Sequence, residues 1–338
     1  MEGFISKEVK LIKPSFEIIE QKPGIDGLLQ HIERCGRTCY KSEDKITEDS
    51  AEKFVNMLVN RGHTAMVEHG TVYLKYDIIE HGSMNLPNKY HFNKYSVVTV
   101  GNEPLHGYET PEYKEKFDGH TYAYITTNYR VLLQNGWLDD LKYQCKPSEH
   151  HVKRVTVKFV CDRGVSHEFV RHRVFSFAQE STRYCNYAKD KFGKECTFII
   201  PSWLDVPEGE AYFHDGINFR VGANEGDIFG ESVNPRAWAR NNDWKEVDSF
   251  LHALEIAENQ YFDLLNLGWI AQQARAVLPN SLKTELIMTG TIEQWEGFFK
   301  LRCAKDAHPQ ARELAVPLYE EFVKRGYITA RISKEILC

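Results

Sequence analysis

Residues 171–184 read RHRVFSFAQESTRY. Three arginines, a histidine, two serines and a glutamate crowd into these fourteen residues of a 338-residue chain whose formal net charge is -6. A local excess of guanidinium and hydroxyl groups in an acidic protein points to an anionic ligand. Arg171 and Arg173 are two apart, so one helix face cannot carry both. In a turn or extended segment, their forks reach different parts of one anion. Ser181 and the neighbouring backbone N–H groups add short neutral donors. Arg183 adds a third fork, and Gln179 offers an amide that can read an amide-like ring edge. The set fits a nucleotide better than a protein partner. Spacing alone also leaves open a solvated basic loop paired with surface carboxylates.

Composition bounds the classes. Hydrophobic residues are 42% and charged residues 27%, a globular balance. The chain holds no stretch of 18 apolar residues, so no membrane span is expected. Its start, MEGFISKEVKLIKPSFEIIE, has neither an apolar leader block nor an Arg/Ser-rich character, and a cytoplasmic location is expected. Eight cysteines, at 35, 39, 145, 161, 185, 196, 303 and 338, form no C-x-x-C pair, so reduced thiols are expected. No H-E-x-x-H or Cys/His pattern suggests a metal, and the adjacent His150 and His151 read as surface residues. The acidic balance argues against a general nucleic-acid binder.

Periodicity supplies the scaffold. IDGLLQHIERCGRTCY (25–40) reads as a helix. In TEDSAEKFVNMLVNRGH, Ala51, Phe54, Val55, Leu58 and Val59 share a helical face, with Thr47 as the expected N-cap and Asn60, Arg61 and Gly62 as the stop. TVYLKYDI and VTVKFVCD (155–162) read as strands, the second running into a helix, GVSHEFVRHR. DSFLHALEIAENQYFDLLNLG reads as a helix ended by Gly268, AQQARAVLP as a short helix, LKTELIMTG as a strand and IEQWEGFFKLR as a helix. HPQARELAVPLYEEFVKRG reads as a helix with a kink expected at Pro317. Two polar stretches, 79–150 and 203–245, interrupt this pattern and read as insertions. A helical candidate, YAYITTNYRVLLQ, lies in the first.

Arg171-His172-Arg173, seven residues and Ser181 reproduce the R-H-R…S block of the flavin-dependent thymidylate synthases, and the match extends through Ser176, Phe177, Arg183 and Tyr184. Supporting blocks stand in the family's order along the chain. GHTAMVEH (62–69) resembles the family's G-H-x-x-x-x-E-H block, and RTCY (37–40) resembles the segment before its second helix. ARAVLP (274–279) and FFKLR (298–302) resemble its two C-terminal arginine blocks. The resemblance implies an α+β fold: a single thymidylate-synthase-complementing-type domain over 1–338, helices packed on a mainly antiparallel sheet, carrying the two insertions. It also implies the activity, a methyltransferase converting dUMP to dTMP. Methylenetetrahydrofolate would be the carbon donor, FAD the hydride carrier and NADPH the reductant. A homotetramer with shared active sites is implied too, with neither nucleic acid nor membrane as partner.

Residue roles carry over by position. The resemblance makes Arg302 the catalytic group that polarises the uracil ring and also a substrate contact. Arg275, Glu180, Ser181, Thr182 and Arg183 fall on dUMP, and Glu168 stands where some members place a nucleotide-contacting glutamine. His63, Glu68, Arg171, His172, Arg173, Gln179 and His308 fall on the flavin side. Thr291 and Gly297 stand where some relatives place flavin-contacting asparagines. Cys185, beside Arg183, invites a thiol nucleophile, but no covalent role is assigned to it or to Ser181, which has no adjacent base. The alternative to the enzyme is a non-catalytic nucleotide- or nucleic-acid-binding relative.

Overall fold

The run TELIMTG, apolar on both alternating faces, needs cover on both sides, and it gets it at the centre of the molecule. The computed structural model describes residues 9–103, 120–214, 218–221 and 246–329. In chain order the strands are β1 (Val9–Ile12), β2 (Ser15–Ile19), β3 (Thr71–Asp77), β4 (Val97–Glu103), β5 (His120–Asn128), β6 (Arg154–Asp162), β7 (Ser176–Gln179), β8 (Thr197–Ile199), β9 (Gly209–His214), β10 (Asn218–Val221) and β11 (Lys283–Thr291). The α-helices of seven residues or more are α1 (Gly24–Tyr40), α2 (Ser50–Asn60), α3 (Asn85–His91), α4 (Tyr129–Asn135), α5 (Arg163–Phe169), α6 (Glu246–Asn266), α7 (Ile292–Arg302) and α8 (Pro309–Lys324). Helices on a mainly antiparallel sheet are therefore present as expected.

The central sheet runs β2-β6-β11-β7 and is antiparallel throughout. β11 pairs with β6 over its whole length, from Lys283 opposite Asp162 to Thr291 opposite Arg154. Leu286 and Met288 of β11 join an aromatic core built from α5, α7 and α8, with Phe159, Phe169, Trp295, Phe298 and Phe299 fully buried. Ile287, one residue out of phase, packs on the opposite face with Cys35 of α1. That alternation is the strand period written into a doubly covered sheet. Gly290 is required by this packing, since a Cβ there would lie 2.5 Å from the Phe175 ring. Two smaller sheets flank the centre, β10-β9-β1-β8 against α6, and β3-β5-β4 near α1 and α2. Among the described residues no helix is long and apolar enough to cross a membrane.

Several local expectations differ from the structure. Thr47 does not cap α2. The helix starts at Ser50 with Asp49 at the N-cap, and the Ser50 hydroxyl instead accepts from Thr47 N at 2.9 Å. YAYITTNYRVLLQ is strand up to Asn128 and helix only from Tyr129. Its β-branched and aromatic residues favour the sheet, and Asn128, whose side chain accepts from Val131 N at 3.2 Å, makes the switch. α8 runs through Pro317 without a break, because Leu314, Ala315, Leu318 and Tyr319 on both sides of it are buried in one core. In the segment read as the first insertion, β4 and β5 pair with β3, and β5 is the middle strand. Residues 104–119, 215–217 and 222–245 of the two segments lie outside the described residues, as does Cys338.

A buried chain of hydrogen bonds crosses the central sheet. His31 Nε2 meets Thr156 Oγ1 at 3.0 Å, Thr156 meets Thr289 Oγ1 at 2.7 Å, and Thr289 meets His69 Nδ1 at 2.7 Å. Burial, then the charges of Arg154 and Arg34, lowers the His31 pKa to about 3. Burial, then His31 and Arg154, lowers that of His69 to about 3. Both rings are therefore neutral in the folded state near pH 7 and below it. The unfolded chain binds protons first, so stability falls as pH drops below the ordinary histidine value of about 6.5. Each ring contributes a slope of roughly 1.4 kcal/mol per pH unit in that window. Urea unfolding midpoints should thus decline from pH 7 to pH 5, and His31→Gln should flatten the decline. A parent midpoint that does not move over that range would count against neutral buried rings.

Candidate active site

Asp162 caps α5, its carboxylate accepting from Val165 N at 2.7 Å, and the helix stops at Phe169. His172 N then donates to Phe169 O, and Phe175 N to His172 O. Phe175 is anchored edge-on against Trp295 at 4.7 Å. The R-H-R block is thereby held in a turn before β7, with Arg171 and Arg173 exposed and His172 turned half-inward.

Arg302, in the last turn of α7, closes on this turn. Its Nε donates to His172 Nε2 at 3.0 Å, its Nη1 to Glu168 Oε2 at 2.7 Å and its Nη2 to the Glu168 carbonyl at 2.6 Å. Burial first, and the Arg302 charge second, lower the His172 pKa to about 4, with Glu168 opposing them. A neutral ring that accepts at Nε2 carries its proton on Nδ1. Three predicted residues, Glu168, His172 and Arg302, are therefore brought together, and the guanidinium is fixed by three bonds while one carboxylate opposes its charge. Thr291 caps α7, its hydroxyl accepting from Gln294 N at 3.3 Å. A Cβ at Gly297 would meet nothing within 4 Å.

After β7 the chain forms a strap. Gln179 Nε2 donates to Ser166 Oγ at 2.9 Å and Thr284 Oγ1 at 3.3 Å, so its amide braces α5 against β11. Ser181 N donates to Cys39 O at 3.1 Å, and its hydroxyl accepts from Arg183 N at 3.3 Å. Arg275 Nη1 donates to Thr182 Oγ1 at 2.9 Å, joining two more expected residues. Arg183 is exposed. Glu180, expected among the phosphate contacts, is only 2% exposed and faces inward to Lys283 at 2.9 Å. Lys283 also reaches Glu285 at 2.8 Å, which meets Lys158 at 2.7 Å and Lys41 as well. Burial alone would raise the Glu285 carboxyl, but Lys283, Lys41 and Lys158 override it and hold it well below the usual carboxylate range.

Beside the strap lies a cleft of about 440 Å³ whose lining includes Cys39, Tyr40, His63, Met66, Arg130 and Tyr184. The Tyr40 hydroxyl is 2.7 Å from His63 Nδ1, and the Tyr40 and Tyr184 rings lie 5.3 Å apart. Glu68 pairs with Arg130 of α4. Arg154, at the start of β6, donates to the Glu68 carbonyl and to Thr71 Oγ1 at 3.2 Å, and to Ser176 Oγ at 3.4 Å. It ties the G-H-x-x-x-x-E-H block to the R-H-R block. His308 stands apart as the N-cap of α8, edge-on to Trp203 at 6.0 Å, and has no side-chain bond to the Arg302 group.

Sequence reasoning missed Arg130, Arg154 and Lys283. Each sits in a strand or helix whose partner lies far along the chain, and none falls in one of the family-motif blocks. The isolated cations of KRVTVKF and SLKTELIM were the available signal.

The family model described as "Thymidylate synthase complementing protein" matches residues 120–325. A flavin-dependent thymidylate synthase from Pyrococcus furiosus is 29% identical over 168 residues, 50% of this chain and 53% of that protein. One from Geobacter sulfurreducens is 27% identical over 156 residues, 46% of this chain and 50% of that protein. The chain thus spans about half the length of the curated relatives it matches. The UMP/dUMP methylase PolB from Streptomyces cacaoi, solved with 5-Br UMP, superposes only loosely, with a TM-score of 0.39 at 14% identity over 94% of this chain and 92% of that one.

Cys185 is fully buried, and burial, then Glu180, pushes its thiol up to about 12. A thiolate nucleophile is scarce there at neutral pH. In the folded protein at pH 8, iodoacetamide should reach the half-buried Cys39 and Cys145 before the buried Cys35, Cys161, Cys185, Cys196 and Cys303. Peptide mass spectrometry reads the order. Labelling of Cys185 as fast as Cys39 would overturn its inert assignment.

Proposed function

This chain belongs to the thymidylate synthase complementing protein family, and from that premise we propose that it is a methyltransferase that makes dTMP from dUMP with a flavin. Methylenetetrahydrofolate is the proposed carbon donor, FAD the cofactor and NADPH the reductant. The observation that carries the reading is Arg302, fixed by Glu168 and the neutral His172 at the R-H-R turn. A guanidinium that never loses its proton suits a ring that becomes anionic during reaction, and a pre-fixed one needs no reorganisation then. Arg183, Ser181 and Arg275 are proposed to hold the dUMP phosphate. Thr182 orients Arg275, and Glu180 supports the strap through Lys283.

The residues fit a flavin. Arg171 and Arg173 are exposed and have no carboxylate in ion-pair distance among the described residues. The cleft walled by Tyr40, His63 and Tyr184 suits a planar ring. When bound, FAD would supply hydride transfer. Around it, the Tyr40 hydroxyl fixes His63, Gln179 braces the motif, and Arg130 offsets Glu68. His308 is retained on the flavin side only as a proposal from position. A homotetramer with shared sites accords with one chain dividing its site residues into separate hydrogen-bonded groups. A cytosolic location is likewise proposed. The insertions at 79–150 and 203–245 are proposed as well; the first carries β4 and β5, which extend the three-stranded sheet from β3.

The purified protein should be yellow after reconstitution with FAD, and NADPH should bleach it anaerobically. Arg183→Ala should weaken dUMP binding by about one to two decades, the loss of a charge-assisted contact worth roughly 1.5–3 kcal/mol, while flavin stays bound. Arg302→Ala should lose the most kcat, Ser181→Ala should lose affinity but keep turnover at saturation, and Cys185→Ser should keep most turnover. Tritium release from C5-labelled dUMP measures all three. A folded, flavin-loaded Cys185→Ser that is dead, or an Arg302→Ala that turns over like the parent, sinks the mechanism.

A further inference from the structure

A second cavity, of about 410 Å³, lies where the end of β2, the start of α1 and the arm 144–147 meet the first residues of β6. It shares no lining residue with the cleft around His63. Four cations line it: Lys22, Lys146, Lys153 and Arg154. None of them has a carboxylate in ion-pair distance among the described residues. Glu20 is the only acid in the described lining, and it is already paired with Arg325 at 3.1 Å. Lys153 instead covers the Tyr327 ring at 3.7 Å, which leaves its charge uncancelled. Four like charges converging on one cavity repel one another unless an anion joins them.

Two further features point the same way. α1 is a 17-residue helix, and its N-cap is Pro23, which has no side chain to bond the first turn. Pro23 and Gly24 line the cavity, so uncapped amides and the positive end of a helix dipole border it. Asp26, the acid of that turn, is not in the lining. His31 also lines the cavity and is 4% exposed. Its Nε2 meets Thr156, while its Nδ1 has no partner. In one tautomer that atom is an unsatisfied N–H, a group that buried sites rarely leave unpaired.

We propose that this cavity binds the phosphate group of a small phosphorylated metabolite no larger than a nucleoside monophosphate. The volume falls in the range of small-ligand sites, roughly 300–1,000 Å³. Lys22, Lys146 and Lys153 supply mobile point charges at the phosphate, and Arg154 supplies fixed charge from the floor. Lys146 comes from the far end of the segment read as an insertion, so that segment builds one wall of the site.

Inorganic pyrophosphate is the probe, titrated into the full chain by calorimetry at constant ionic strength, without nucleotide or flavin. The outcome therefore stands apart from the thymidylate reading. Lys22→Ala/Lys146→Ala should weaken the pyrophosphate affinity at least tenfold or remove one of two binding events, whereas Arg183→Ala should retain that event. A double variant that binds as the parent does, or loss of all binding in Arg183→Ala, overturns the site. The unaltered protein gives a second reading, by acetylation footprinting with and without pyrophosphate. Lys22, Lys146 and Lys153 should be protected while Lys194 and Lys324, 68% and 80% exposed, are not. Equal acetylation of the three cavity lysines in both conditions also overturns it.

Discussion

One buried carboxylate, Glu285, joins the parts that the candidate site requires. Lys41 follows the end of α1, Lys158 lies on β6 and Lys283 on β11 itself, and all three ammonium groups meet it. Lys283 continues to Glu180 beneath the strap. Taking these charges out of water costs several kcal/mol per ion, repaid only while every partner is in place. Removing Glu285 would leave three cations facing two remaining carboxylates, Glu180 on Lys283 and, at 3.7 Å, Glu43 on Lys41. The strap carrying Ser181, Thr182 and Arg183 therefore depends on a charge balance set one layer below it, where no motif residue other than Glu180 takes part.

The same division runs through the arginines. Arg302 is opposed by Glu168, and Arg130 by Glu68. Arg154 spends its donors on the Glu68 carbonyl, Thr71 and Ser176. These cations are placed by the protein and cannot drift. Arg171, Arg173 and Arg183 are exposed and meet no carboxylate among the described residues. In a chain of net charge -6, such unneutralised arginines are where an incoming anion finds attraction rather than competition.

How far the sequence could be read follows from the range of the interactions. The R-H-R turn was legible because its geometry is local: a capped α5, a stop at Phe169 and a buried Phe175 all lie within fourteen residues of one another. β11 was legible as a short apolar run that is buried on both faces, and α7 because its buried Trp295, Phe298 and Phe299 recur at helical spacing. β5 was misread because Tyr-Ala-Tyr-Ile-Thr-Thr serves a strand while Tyr129 onward serves a helix, and only Asn128 marks the join. The Thr47 cap failed because Ser50 competes for the same turn with its own hydroxyl. Arg130, Arg154 and Lys283 were illegible for a different reason. Their partners lie 62, 86 and 103 positions away, and no short pattern records a contact across that distance.

Glu168 shows what such long-range geometry adds to a motif. By position it stood as one more ligand contact, in a place where some relatives carry a neutral glutamine. In space it holds the Arg302 guanidinium with both its carboxylate and its carbonyl. A carboxylate at that point lowers the positive potential that an anionic uracil ring would meet in the proposed reaction, yet it fixes the Arg302 fork. A glutamine keeps an acceptor and removes the charge. If Arg302 meets the uracil ring as proposed, position 168 sets how much of its charge is left for that ring. The neutral His172, kept so by burial and by Arg302 itself, adds a bond without adding a competing charge.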